Sequence, residues 1–161
     1  MPLIELSYPA GTFAEETRTS LVDDLSTVLL RAERAPDTEF FRSITWAFVN
    51  EFPAGTVLQG GRPVTQPIFR VNISVPEGAL SDRRKQELVS EVTRVISEAA
   101  RLTEQDGLRV WVLIRDVPEG NWGAAGNIVR FEQLRRAAAQ PDGREREAIA
   151  AVQGEPAATS A

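Results

Sequence analysis

Ser7-Tyr8-Pro9-Ala10-Gly11 returns 67 positions later (7 to 74) as Ser74-Val75-Pro76-Glu77-Gly78, and this echo decides the fold. The same offset carries Leu21, Val22, Leu25, Val28, Leu29 and Ala32 onto Leu88, Val89, Val92, Val95, Ile96 and Ala99. Those positions recur three and four apart, the spacing of one apolar helix face. Farther on, Trp46, Pro53 and Gly55 map onto Trp111, Pro118 and Gly120, now 65 apart (46 to 111). The two-residue change falls in the loop after each helix, where length varies at little cost. The chain therefore contains one unit twice.

Each unit reads strand, turn, helix, strand. In the first, the expected strand is Leu3 to Ser7. Thr12 with Glu15 suggests a capping box opening a helix that stops near Ala35-Pro36, and Ile44 to Asn50 closes the unit as a strand. In the second, Ile68 to Ser74 is a strand, Ser81 to Leu102 a helix, and Arg109 to Asp116 the closing strand. A strand-helix-strand unit favours a right-handed crossover between parallel strands. The expected fold class is α+β: two fused β-α-β modules forming a four-stranded mixed sheet with two helices on one face. The bare sheet face predicts an oligomer. The expected boundaries are residues 2–58 for the first module, 59–66 for a linker, 67–133 for the second module and 134–161 for a partly disordered C-terminal extension. Within that extension Arg144 to Val152 has the pattern of a short helix, and Glu155 to Ala161 that of a tail.

Composition narrows the chemistry. The 161 residues include no Cys and no His, so thiol, Ser-His and His-ligated metal chemistry are excluded. With a net charge of -5 and no basic stripe, nucleic acid is not an expected partner. No apolar run is long enough to cross a membrane, and no basic start followed by an apolar stretch marks a signal peptide, so a cytoplasmic protein is expected. The remaining candidate is the terminus. Met1 is followed by Pro2, a small residue that permits removal of the initiator methionine. The exposed secondary amine would be neutral and basic if held in an apolar pocket. It could then move a proton between carbon and oxygen or attack a carbonyl.

Pro2-Leu3-Ile4-Glu5-Leu6-Ser7, the turn at Gly11, the helix, the strand and the Pro-x-Gly resemble the 4-oxalocrotonate tautomerase subunit. Pro67-Ile68-Phe69-Arg70-Val71-Asn72-Ile73, Glu77-Gly78 and Gly120-Asn121-Trp122-Gly123-Ala124-Ala125-Gly126 resemble it more closely. Asn50 to Val57 with Gly60-Gly61 is similar to the linker of the cis-3-chloroacrylic acid dehalogenase subgroup. The resemblance, over residues 2 to 132, implies the tautomerase superfamily, with trimers of fused chains packing their sheets inward. It implies no metal and no organic cofactor, and a terminal proline acting on small 2-oxo acids, enols or unsaturated carboxylates. The arginines that hold the substrate carboxylate in that family align here with Thr12 and Ala79 in the turns and with Trp46 and Trp111 on the closing strands. The dehalogenases' histidine is absent, and their acidic water-activating residue aligns near Ala124. The departures leave Arg70, Arg42 and Arg109 as candidate carboxylate ligands. Arg70 is preferred because it lies on the strand that begins the second module, expected close to Pro2. Trp122 holds the aromatic place in the glycine-rich turn, and Tyr8 could donate to an enolate. Pro67, whose nitrogen is an amide, cannot substitute for Pro2. The expected activity is a Pro2-dependent tautomerase. Hydratase or decarboxylase chemistry at Pro2, and a non-catalytic ligand-binding homologue, are the alternatives.

Overall fold

The computed structural model describes residues 2–140. In chain order it contains β1 (Leu3–Pro9), α1 (Glu15–Glu33), α2 (Glu39–Ser43), β2 (Trp46–Phe52), β3 (Leu58–Gln59), β4 (Arg62–Pro63), β5 (Phe69–Pro76), α3 (Asp82–Ala100), a 3-10 helix (Glu104–Arg109), β6 (Val110–Val117), β7 (Gly123–Ala124), β8 (Asn127–Ile128) and α4 (Phe131–Ala138). One four-stranded mixed sheet runs β2-β1-β5-β6. The outer pairs β1/β2 and β5/β6 are parallel, and the central pair β1/β5 is antiparallel. The α+β reading of two fused modules is borne out.

Strand alternation sorts the side chains. Ile4, Leu6 and Tyr8 of β1, and Phe69, Val71, Ile73 and Val75 of β5, point into one buried core. Leu21, Leu25, Val28 and Leu29 of α1 and Leu88, Val92, Val95 and Ile96 of α3 close over them. Burying each such side chain contributes roughly 1.5–3 kcal/mol. The other sheet face is uncovered in the single chain. There Trp46 and Trp111 are 62% and 66% exposed, and Phe48 and Leu113 are 54% and 48% exposed.

The register defines the symmetry. Leu3 pairs with Trp46 as Arg70 pairs with Trp111, and Glu5 lies opposite Asn72 at the centre of the antiparallel pair. A pseudo-twofold passing between Glu5 and Asn72 thus carries Leu3 onto Arg70. It carries Pro2 onto Phe69, not onto the Pro67 that looks like its counterpart in the sequence. The region read as a linker holds the β3–β4 hairpin, which is the first module's copy of β7–β8. Gly60-Gly61 and Ala125-Gly126 form their tips, all four at positive φ. The Ala125 backbone adopts φ 51, a region where a side chain is strained.

Two local expectations need correction. Thr12 does not cap α1: its hydroxyl donates to the Pro9 carbonyl within the turn, and the helix begins at Glu15 after Ala14. The second strand begins at Trp46 because Glu39–Ser43 is a short helix, capped by Thr38 and ending at Ile44. The extension begins with an ordered element, for Leu134 and Ala137 of α4 are buried and Ala137 packs with Leu30 and Phe41. The expected helix at Arg144 to Val152 and the tail from Glu155 lie outside the described residues. Among the described residues no helix is long and apolar enough to cross a membrane.

Candidate active site

Pro2 is buried at the edge of a cavity of about 770 Å³. Its carbonyl accepts from the Trp46 N–H at 3.3 Å, which continues the β1/β2 ladder and anchors the terminus to the sheet. Five elements build the walls. Leu3 comes from β1, and Ile44 and Trp46 from the approach to β2. Ser74 and Arg115 come from β5 and β6, and Asn121, Trp122 and the glycine-rich hairpin close the far side. The second module thereby supplies the lid over the first module's terminus.

Of the expected site residues, the structure brings Pro2 and Trp122 together. Trp122 is half-buried, and its carbonyl accepts from Val129 N–H at 2.8 Å, so the hairpin that carries it is pinned at its base. The other four lie elsewhere, each for a definite reason.

Arg70 is at the opposite end of β5. Because β1 and β5 are antiparallel, Arg70 faces Ser7, whereas the residue beside Leu3 is Ser74. Four residues of strand separate them, roughly 13 Å at ~3.3 Å per residue. Tyr8 points into the core, where its ring meets Phe13 edge-on at 4.9 Å, and its hydroxyl donates to Glu51 at 3.1 Å. Burial, then the Glu51 carboxylate, pushes that phenol up to about 12, so it is no acid at neutral pH. Arg42 is held by Asp37 and Asp23, both at 2.6 Å, and by the Thr27 hydroxyl at 2.9 Å, which fixes α2 against α1. Its guanidinium is stabilised chiefly by the Asp37 hydrogen bond. Arg109 donates to the Pro67 carbonyl at 2.8 Å, to Gln66 at 2.8 Å and to Asp106 at 3.0 Å, tying the 3-10 helix to the inter-module segment. The Asp106 carboxyl is lowered to about 2, first by the Thr103 backbone N–H, then by the Thr103 hydroxyl and Arg109.

The cation that does line the cavity is Arg115. It stands in register with Ser74, which stands in register with Leu3, so one row across three strands joins it to the residue after Pro2. Arg115 takes part in no ion pair among the described residues, so its guanidinium fork is available to a carboxylate or another planar anion. The signal for it was in the sequence. In Arg109 to Asp116 the alternation places Trp111, Leu113 and Arg115 on the face away from the helices, and only the strand order was needed to set Arg115 beside Pro2.

The site thus combines a buried terminal-proximal proline, one unpaired guanidinium, the Ser74 hydroxyl and a largely apolar wall from Leu3, Ile44, Trp46 and Trp122. Such a cavity can hold a small acid by its carboxylate and keep the remainder of it dry.

Residues 70–132 match the family model described as Tautomerase enzyme. No curated protein matches the sequence. Among solved structures, a member of the cis-3-chloroacrylic acid dehalogenase family is 20% identical at a TM-score of 0.70, covering 91% of this chain and 97% of that one. A fused 4-OT solved as a symmetric trimer is 23% identical at a TM-score of 0.65, covering 80% of this chain and 94% of that one. A third protein, crystallised after inactivation by 2-oxo-3-pentynoate, is 21% identical at a TM-score of 0.66, covering 78% and 94%. At these identities the likeness establishes the fold.

Proposed function

We propose that this chain, whose residues 70–132 match the Tautomerase enzyme family model and whose two modules share the fused tautomerase fold, is a cofactor-independent isomerase acting through Pro2. Its substrate is a small 2-oxo acid, its enol, or an unsaturated carbonyl acid. The observation that carries this reading is the position of Pro2, buried against a cavity of about 770 Å³ that Arg115 and Trp122 also line.

Once Met1 is removed, the Pro2 nitrogen is a secondary amine. The apolar wall disfavours its charged form and holds it as a base near neutral pH. Arg115 receives the substrate carboxylate and sets the orientation. The amine then takes the proton from the carbon beside the carbonyl, leaving an enolate. Returning that proton to oxygen, or to the far carbon of a conjugated system, completes the isomerisation. Ser74 and Asn121 line the same cavity, and in this reading they donate to the developing oxyanion.

The same reading assigns the uncovered sheet face to a homotrimer, since Trp46, Phe48, Trp111 and Leu113 leave an apolar surface that water disfavours. One relative of this fold is a symmetric trimer. The assembled species would have about three times the 17.7 kDa chain mass.

The test begins with the intact mass of the purified chain, which should lack Met1. Turnover of phenylenolpyruvate or a 2-hydroxydienoate is then followed by absorbance in wild type and Pro2→Ala. The loss expected for a missing general base is about 100-fold or more. Incubation with 2-oxo-3-pentynoate, the reagent that inactivates one protein of this fold, should add one adduct at Pro2. Undiminished turnover in Pro2→Ala, or in a chain that retains Met1, would overturn the assignment.

A further inference from the structure

The pseudo-twofold that relates the modules also relates two cavities. The second, of about 290 Å³, is lined by Ser7, Phe52, Val57, Leu58, Phe69 and Arg70, among others. Applying the offsets of the register, Ser7 stands where Ser74 stands in the Pro2 cavity, Phe52 where Val117 stands and Val57 where Trp122 stands. Its lid is the β3–β4 hairpin, the copy of β7–β8. Two substitutions distinguish the sites. Phe69 replaces Pro2 and sits in mid-chain, so no amine is present. Arg70 replaces Leu3. Conversely Asn50, on β2, holds the place of Arg115. Each cavity therefore has one arginine, one serine at the matching place and an apolar wall, but the guanidinium enters from a different strand.

We propose that this second cavity is a binding site, without chemistry, for a small carboxylate with an apolar body. Three observations support it. Arg70 is exposed and joins no ion pair among the described residues, although Glu5 lies on the same face of β1, two residues from Ser7. Among the described residues its only side-chain partner is the Ser7 hydroxyl, at 3.4 Å, too long to occupy the guanidinium. Moreover, the Ser7 side chain is buried and turned toward the same cavity, which gives a bound carboxylate a second donor. Phe52, Val57 and Leu58 line the same cavity and offer an apolar surface to the body of the acid, while the exposed guanidinium meets its carboxylate at the solvent side. The volume admits a single small acid and excludes a larger one that the Pro2 cavity could take.

The experiment uses the full chain and phenylglyoxylate, a 2-oxo acid with no enolisable hydrogen, titrated by calorimetry. Two sites per chain are expected. Arg70→Ala should weaken one of them by about tenfold or more, the loss of a charge-assisted pair. Val57→Trp, which leaves Arg70 in place and fills the cavity from its lid, should remove the same site. Arg115→Ala should weaken the other. If Arg70→Ala and Val57→Trp both leave the binding curve unchanged, the inference is wrong, whatever Pro2 does. If a single site is found and Arg70→Ala abolishes it, the second cavity stands and the carboxylate role of Arg115 falls instead.

Discussion

Replacing Arg115 by Ala isolates the carboxylate grip from the proton transfer. Hydrogen bonds to charged groups contribute about 1.5–3 kcal/mol each, which spans roughly 10- to 150-fold in an equilibrium constant. Arg115 is exposed at the cavity mouth, so solvent screens the pair and the lower part of that range applies, about 10- to 40-fold. The grip is present in both ground and transition states, so the loss should fall on KM, with kcat changed little. The assay is steady-state turnover of a 2-oxo acid and of its methyl ester by wild type and variant. In wild type the ester should suffer nearly the same penalty as the mutation. In Arg115→Ala, acid and ester should converge, because neither then has a partner for the carboxylate. Arg115→Lys should recover part of the loss, since it keeps the charge and forfeits the planar fork. If the variant still prefers the acid over the ester by the wild-type ratio, another cation holds the carboxylate and the placement of Arg115 has been misread.

Trp122→Ala opens the dry wall beside Pro2 to water. A better solvated amine is easier to protonate, so its pKa rises. Because the neutral amine is the active form, the acid limb of the kcat/KM profile should move to higher pH, and a limb that stays in place would show that Trp122 does not desolvate the base. Glu33 offers a test of stability: its Oε1 is buried without a hydrogen-bond partner among the described residues, and burial raises its pKa despite the nearby Arg84. An acid with a raised folded-state pKa leaves stability intact below its unfolded value and subtracts from it as pH rises through the folded value. Urea midpoints of wild type should therefore fall relative to Glu33→Gln between acidic and neutral pH, and parallel curves for the two proteins would contradict the burial of that carboxylate.

What the sequence could and could not say follows from how each feature is encoded. The two helices were legible because Leu21, Leu25, Val28 and Leu29, and their counterparts in α3, mark one face at regular spacing. The duplication was legible because copied residues keep their offsets. How the copies join was not, since a repeat is silent about whether its first strands run parallel or antiparallel. The error over Arg70 comes from that gap, for the antiparallel pairing sends the start of β5 to the far end of β1 and brings Ser74 beside Leu3. The match of Pro67 to Pro2 misled for a related reason: chemical likeness pointed to it, while the strand register selects Phe69. Arg42 and Arg109 looked available because a one-dimensional reading cannot show that Asp23, Asp37 and Asp106 fold back onto them. Trp122 was found because the resemblance places an aromatic residue in the glycine-rich turn, and the glycines that mark that turn stand unmistakably in the sequence.

Each hairpin closes the cavity of the opposite half, and this crossing has a consequence for inheritance. In an assembly of identical small subunits, any change to one roof is a change to every roof. Here the peptide link between halves breaks that equality, so Trp122 and Val57 are independent letters in one gene. Selection can refine the reactive chamber without disturbing its twin, and the twin is free to acquire a separate ligand.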